Sequence, residues 1–472
     1  MGRPISWYLH EFIRSSALKP GEAAAIAVGA LVLSWPAFLN GFPLVFADTG
    51  TYLGQARLFY LGWDRPPFYS FFLRALDGGF SLWIPVFAQA AIVAHLLFLA
   101  LRSFGRRGPW PILAACCGLA AATSLPWVTA ELIADVFTGV VVLALWLLGF
   151  GTIGRWERLY LLALATGAVA VHVSHVPFAL GLVVVAGAVA WGGAGGWRAA
   201  LATARRMALP PALAAAAISL VNLVGHGSPS LSPYGSVIHV ARLIGDGPAR
   251  DYLEAACPAR RYAICSHLDQ LGAGGSEFIW QKFPHMPDLG DAKAWAPEAK
   301  AIVRGTIAND PLGVTRAALE NTVQQFLHLR IGHELAPWRG EPGPEPLIAR
   351  FFPWELDDYQ ESGQSAGTLK AQADAIAPLL AAVSWLGLAG LVAAAAVRRR
   401  HRPGFALCAL VLAAALGNAF ITGALSGVEN RYQARIAWLF VFAPAAALAA
   451  RPAVARRAGR PAEGPAAVEA LG

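Results

Sequence analysis

The chain has 472 residues, of which 56% are hydrophobic and only 14% are charged. Soluble domains carry about 25% charged residues, so this composition excludes a disordered chain, a coiled coil and an ordinary cytosolic enzyme. A net charge of +8 is also found in nucleic-acid binders, but here the positive residues are distributed as in a membrane protein.

Apolar runs long enough to cross a bilayer recur along the chain. They predict ten spans, near 21–41, 83–101, 109–125, 136–152, 159–173, 176–194, 207–225, 376–397, 404–425 and 434–450. Arg102, Arg106 and Arg107 follow the second span, Arg155 and Arg158 the fourth, and Arg198, Arg205 and Arg206 the sixth. Arg398, Arg399, Arg400 and Arg402 follow the eighth, and Arg451, Arg456, Arg457 and Arg460 the tenth. With Arg3, Arg14 and Lys19, every cluster falls on one side if there are ten spans. The positive-inside rule makes that side cytoplasmic and places both termini there. The first span is expected to be retained, because it lacks a small-residue cleavage site and further spans follow.

The fold class expected is an all-α polytopic membrane protein. Residues 1–225 form a seven-span module and 376–450 a three-span module. Between them, 226–375 is expected to be a mainly helical periplasmic domain. Residues 451–472, rich in Ala, Pro, Gly and Arg, read as a disordered cytoplasmic tail. Segment 226–375 holds 18 of the 29 acidic residues but only 13 of the 37 basic ones. Within it, 299–330 reads as two helices broken at Asn309-Asp310-Pro311. Cys257 and Cys265 lie in this outward segment, and a disulfide closing so small a loop would contribute about 2–3 kcal/mol. Cys116, Cys117 and Cys408 fall in spans, as small apolar residues.

Four constellations lie where spans reach the outer surface, where a charge needs a partner or a water-filled cavity. Asp48, in Phe46-Ala47-Asp48-Thr49-Gly50-Thr51-Tyr52, has the position of a base or of a helix N-cap. The same loop continues through Arg57 to Arg65-Pro66-Pro67-Phe68-Tyr69. Glu131 and Asp135, four apart, would share one face of a helix, as a cation or acceptor site or as a solvated helix start. His172 and His175 have the spacing of a metal, phosphate or acid–base pair, or of a packed turn; zinc would need a further ligand. Arg431, Tyr432 and Arg435 sit between spans nine and ten. With Arg57, Arg65 and Arg74, the two arginines are the basic residues of the transmembrane part on the outer side. A guanidinium there is suited to phosphate oxygens, or it snorkels to the interface. Tyr432 and Trp438 would border an acyl chain.

At these residues the sequence resembles the GT-C class of polytopic glycosyltransferases, which use polyprenyl-phosphate sugars. The features are the first-loop motif around Asp48, the Pro-rich aromatic stretch from Arg65 to Tyr69, an acidic residue after span three and an Arg-Tyr pair near the last spans. Leu-Pro-Trp, His-x-Ser-His and Arg-Tyr-Gln-Ala-Arg motifs also resemble a group of bacterial membrane proteins. The resemblance implies a GT-C-like bundle in the bacterial inner membrane and inverting sugar transfer to a periplasmic glycan, lipid or protein. It implies Asp48 as base, with Glu131 and Asp135 lining the acceptor or a divalent-metal site. Tyr52, Arg65, Tyr69, His172, His175, Arg431, Tyr432 and Arg435 would contact the donor. A transporter or flippase of a lipid-linked sugar is the alternative reading of the same residues.

Overall fold

The computed structural model describes residues 18–192, 195–332, 334–340, 343–399 and 401–450. The expected tail at 451–472, and Arg3, Arg14, Arg400, Arg451, Arg456, Arg457 and Arg460 of the basic clusters, lie outside the described residues. All regular elements among the described residues are helical, and one isolated parallel bridge pairs Leu44 with Glu131.

Helices occupy all ten apolar segments read from the sequence. The first holds α1 (Pro20–Leu33) and α2 (Trp35–Asn40), interrupted at Ser34. The following loop carries α3 (Ala47–Leu58) and α4 (Phe68–Asp77). Then come α5 (Trp83–Ser103), α6 (Pro109–Ala122), the short α7 (Leu125–Ala130), α8 (Val136–Phe150), α9 (Arg155–Ala170), α10 (His175–Trp191) and α11 (Gly196–His226). The long connection holds α12 (Gly235–Asp246), α13 (Pro248–Ala256), α14 (Ala292–Asn309), α15 (Pro311–Leu327), α16 (Glu345–Phe351) and α17 (Leu356–Glu361). The chain closes with α18 (Thr368–Val397), α19 (Arg402–Leu425), α20 (Asn430–Ala437) and α21 (Leu439–Leu448). Helices α5, α11, α18 and α19 are long and apolar enough to cross a membrane; α1, α6, α8 and α10 are shorter apolar helices.

α8 is the hub. Every residue from Val136 to Gly149 is buried, as expected of a helix that is apolar all round. It meets the C-terminal module closely at Gly139, where a Cβ would stand 2.6 Å from the Trp438 ring. Trp146 donates from Nε1 to the Pro403 carbonyl at 3.0 Å, tying the other end of α8 to the start of α19.

Residues 226–375 do not pack as a single unit. Val237, Ile244, Leu253, Phe278, Trp295 and Ile302 build a core of their own. Ile348, Phe352 and Tyr359 instead join the main core, and Ile331, Leu335 and Leu369 join a third cluster with Leu44, Trp127 and Ala434. The helix break falls where Asn309-Asp310-Pro311 places it: Asp310 accepts from the Gly313 amide at 2.8 Å, and Pro311 opens α15. Cys257 and Cys265 form a disulfide, with Cα atoms 5.6 Å apart. Cys116 and Cys408 are buried, whereas Cys117 is exposed on the bundle surface.

Gly139→Val should overpack the contact with Trp438 and cost about 1–3 kcal/mol. The check is the thermal midpoint of the detergent-solubilised chain, which should fall well below that of the parent.

Candidate functional site

Neutral hydrogen bonds position the first loop before any charge is involved. The Leu44 amide donates to the Ala130 carbonyl at 3.0 Å, and the Leu132 amide to the Leu44 carbonyl at 2.8 Å. Gln89 holds the carbonyls of Thr129 and Glu131 at 2.8 and 2.7 Å. Gln364, more than 300 residues away, accepts from the Val45 amide at 3.1 Å and donates to its carbonyl at 2.6 Å. These contacts fix the backbone just before α3.

Asp48 is not the N-cap of α3. Phe46 stands at that position, and Thr49, in the first turn, accepts from the Phe46 amide and donates to the Leu132 carbonyl, both at 3.0 Å. The Asp48 carboxylate, in the first turn, is left for longer-range partners. Its Oδ2 lies 3.0 Å from Arg65 Nη1 and 3.4 Å from Arg431 Nη2. Arg65 also donates to Asp64 from Nε and Nη2 at 2.9 and 2.6 Å. Arg431 reaches Asp135 at 3.3 Å, and Arg435 donates to the other oxygen of Asp135 at 2.8 Å. The second fork of Arg435 ends on Asn418 Oδ1 at 2.8 Å. The result is an alternating series of charges: Asp64, Arg65, Asp48, Arg431, Asp135, Arg435.

Arg431 and Arg435 are four residues apart on α20 and so present one face. Asn418 sets this helix against α19, donating to the Tyr432 carbonyl at 2.5 Å and to Gln433 at 2.8 Å. The Arg431 guanidinium lies over the rings of Phe46 and Tyr432, 4.3 and 4.8 Å from their centroids. That of Arg65 lies over Tyr52 at 5.2 Å.

Accessibility falls from Asp48 to Arg435. The Asp48 side chain is 23% exposed and that of Arg435 only 2%. Burial by itself would raise the Asp48 carboxyl, but the guanidiniums of Arg65 and Arg431 outweigh it and hold the group below the ordinary carboxylate value. Glu131 moves the opposite way. Burial first, then the negative charges of Glu334 and Asp135, push it well above the ordinary value. Its Oε1 is buried and without a hydrogen-bond partner.

The expected pairings within the sequence motifs are corrected in several places. Glu131 and Asp135 do not share a helical face: Glu131 is extended, paired with Leu44, and Asp135 precedes α8. The bridge to Leu44 breaks the helix that their spacing suggested. His172 and His175 are not on one helix either, because α9 ends at Ala170 and α10 begins at His175. The buried His175 ring uses both nitrogens, bonding the Ala168 carbonyl at 2.7 Å and Thr138 at 2.9 Å. His172 bonds the Ser174 hydroxyl at 2.7 Å and lies within electrostatic reach of Asp48. Tyr69 is wholly buried, its hydroxyl donating to Gln89 at 3.3 Å, and belongs to the core rather than to a ligand surface. Trp438 is likewise buried, with Nε1 on the Arg435 carbonyl, so it borders no acyl chain. Arg57 pairs with Asp77, and Arg74 donates to the Ala56 carbonyl at 3.3 Å, which removes both from the cluster.

Asn418 and Glu334 went unrecognised in the sequence. An Asn within the apolar run of α19 was the available signal for the first; nothing local marks the second. Among the described residues, no group of three or more His, Cys, Asp or Glu is arranged to hold a metal ion. A small surface depression adjoins Arg65, lined by Gly62, Trp63, Asp64, Arg65, Val173 and Asn222 among others. Comparison of the chain with family models, curated proteins and solved structures finds no match.

Chemically, the arrangement stores three guanidiniums against three carboxylates. Of the three guanidiniums, that of Arg65 lines the depression. Asp48 is the most exposed of the five residues from Arg65 to Arg435 and is held by single contacts rather than a fork.

Two outcomes test this geometry. Asp135→Ala would leave Arg431 and Arg435 facing each other without their shared counter-charge, at a cost of about 3–5 kcal/mol, seen as a large drop in thermal midpoint. For Glu131, the folded chain keeps a proton that the unfolded chain releases above the ordinary value of 4.5. Folded-state stability therefore falls as pH rises through that window. Glu131→Gln should flatten this decline in pH-dependent thermal unfolding.

Proposed function

We propose that the protein is a bacterial inner-membrane glycosyltransferase of GT-C type, moving a sugar from a polyprenyl-phosphate donor to a periplasmic acceptor. In this reading the ten helical segments are ten crossings, both termini are cytoplasmic, and the charged series faces the periplasm. One observation carries the proposal: Asp48 lies 3.0 Å from Arg65 and 3.4 Å from Arg431, although Arg431 is 383 residues further along the chain. A carboxylate beside two guanidiniums suits displacement at a sugar–phosphate bond.

The donor phosphate would take the nitrogens that face Asp48, Nη1 of Arg65 and Nη2 of Arg431, and so release Asp48. The freed carboxylate would accept the proton of an acceptor hydroxyl as its oxygen bonds to the anomeric carbon. The bond from that carbon to the phosphate oxygen breaks, and polyprenyl phosphate leaves with the electron pair. The two guanidiniums stabilise the charge gathering on the leaving oxygen. Arg435, whose two terminal nitrogens are taken by Asp135 and Asn418, would position Arg431 through Asp135 rather than touch the donor. Tyr52 supports Arg65 with its ring face. The acceptor would enter beside Asp64 and Trp63.

Asp48→Asn preserves shape and removes the base. Transfer should be abolished with membrane expression retained, read by profiling lipid-linked glycans in cells carrying only the variant. Normal product from that variant would remove Asp48 from the role. In a deletion strain the sugar-charged lipid should accumulate and its product disappear.

A further inference from the structure

Helix α15 is built inside out. Its buried positions include the polar Asn321 and Gln325, while Leu312, Leu319, Val323 and Leu327 are 81%, 57%, 60% and 56% exposed. The spacing of seven, four and four residues places these four side chains in one row along the helix. A helix end in water would show the reverse pattern.

Two neighbouring helices locate this row relative to a bilayer. α18 and α19 are both long and apolar enough to cross one, and the basic turn containing Arg398, Arg399 and Arg402 joins them at one end. Measured from that turn at ~1.5 Å per residue, Gly423 of α19 lies about 30 Å away, close to the full thickness of a hydrocarbon core. The Asn321 carbonyl packs there, 2.6 Å from where a Gly423 Cβ would be. Trp385 of α18 lies only about 18 Å from Val397 on the same measure, within the far half of the core. The Phe326 ring meets it, with centroids 6.0 Å apart. At its other end, Val314 packs against the separate core of the long connection. α15 therefore slants from that core toward the bilayer level of α18. α19, against which it packs, also exposes apolar side chains at Leu416, Phe420 and Leu425. Arg316 and Glu320 interrupt the first half of the row as an ion pair at 2.7 Å, and long side chains there can reach the headgroups.

We infer that α15 is a membrane-seated helix, its row of Leu319, Val323 and Leu327 immersed among the acyl chains of the leaflet opposite the basic turn. The partner is lipid, not another protein. The long connection is thus moored to the bilayer rather than standing free of it. The seating also reaches the charged cluster. Gln325 donates to the Glu429 carbonyl and accepts from its amide, both at 2.8 Å, and the Arg330 amide donates to Asn430 at 3.2 Å. These bonds hold the start of α20, which carries Arg431 and Arg435. The mooring is independent of whether the cluster transfers a sugar.

The test is site-directed spin labelling of the full chain in phosphatidylethanolamine–phosphatidylglycerol vesicles, in a Cys117→Ala background that keeps the disulfide and the buried thiols. Nitroxides placed through Leu319→Cys, Val323→Cys and Leu327→Cys should collide several-fold more often with oxygen than with a water-soluble nickel chelate, like a label at Leu386→Cys on α18. A label at Lys300→Cys gives the aqueous reference. Nickel collisions matching that reference at all three positions would overturn the inference. So would low collision rates with both reagents together with spin–spin broadening, which would mark contact with a second copy.

Discussion

The fold closes on itself through six charges that alternate from Asp64 to Arg435. Surface ion pairs of this kind contribute little, because water screens them and side-chain entropy opposes them. Here most of the members are withdrawn from water, and a withdrawn charge without a partner is costly. Arg431 and Arg435 therefore depend on carboxylates supplied by other parts of the chain, and Arg65 adds the distant Asp48 to its neighbour Asp64. The first loop, the turn before α8 and the short α20 can occupy their places only together. The series makes residues 48–65 and 431–435 parts of one object.

Neutral contacts prepare that closure. Leu44 pairs with the segment around Glu131, Gln364 grips both polar groups of Val45, and Gln325 grips both of Glu429. Each is a side chain or backbone group satisfying buried polar atoms that no helix could satisfy. Their effect is to set the directions of α3 and α20, so that Asp48 and Arg431 meet with little freedom left. Asn418 does the same from within α19. Function, in the reading favoured above, uses the weakest point of this rigid arrangement. Asp48 is the most exposed of the residues shared between Arg65 and Arg435 and is held by single contacts. An anionic ligand can therefore replace it without dismantling the better-buried pairs behind it.

The long connection also serves this arrangement in two ways. Its own core, from Val237 to Ile302, is separate from the bundle, whereas Ile348, Phe352 and Tyr359 are absorbed into the main core beneath the first loop. Between these parts runs α15, whose polar side faces inward because it must hold the backbone of Glu429. Its apolar side faces outward because the surroundings at that level are not water.

The amino-acid order by itself determined where the ten apolar helical segments lie. Apolar run length and the breaks at His175 and Asp310 are local properties, and the ten segments and the α14–α15 break were legible for that reason. Cys257 and Cys265 were legible as a pair because so short a loop leaves little choice. The residue types of the cluster were legible too, since a carboxylate or guanidinium at the end of an apolar run stands out. What each side chain touches was not. Glu131 and Asp135 look like one helical face until Leu44 pairs with Glu131 and breaks the helix. Tyr69 and His175 look available until the core closes over them, and Asn418 becomes a partner of Arg435 only when α20 folds back on α19. Helical period acts over a few residues and can be read from neighbours. The pairing of Asp48 with Arg431 is decided by how entire helices pack, and that depends on shapes and buried polar groups contributed from the whole chain at once.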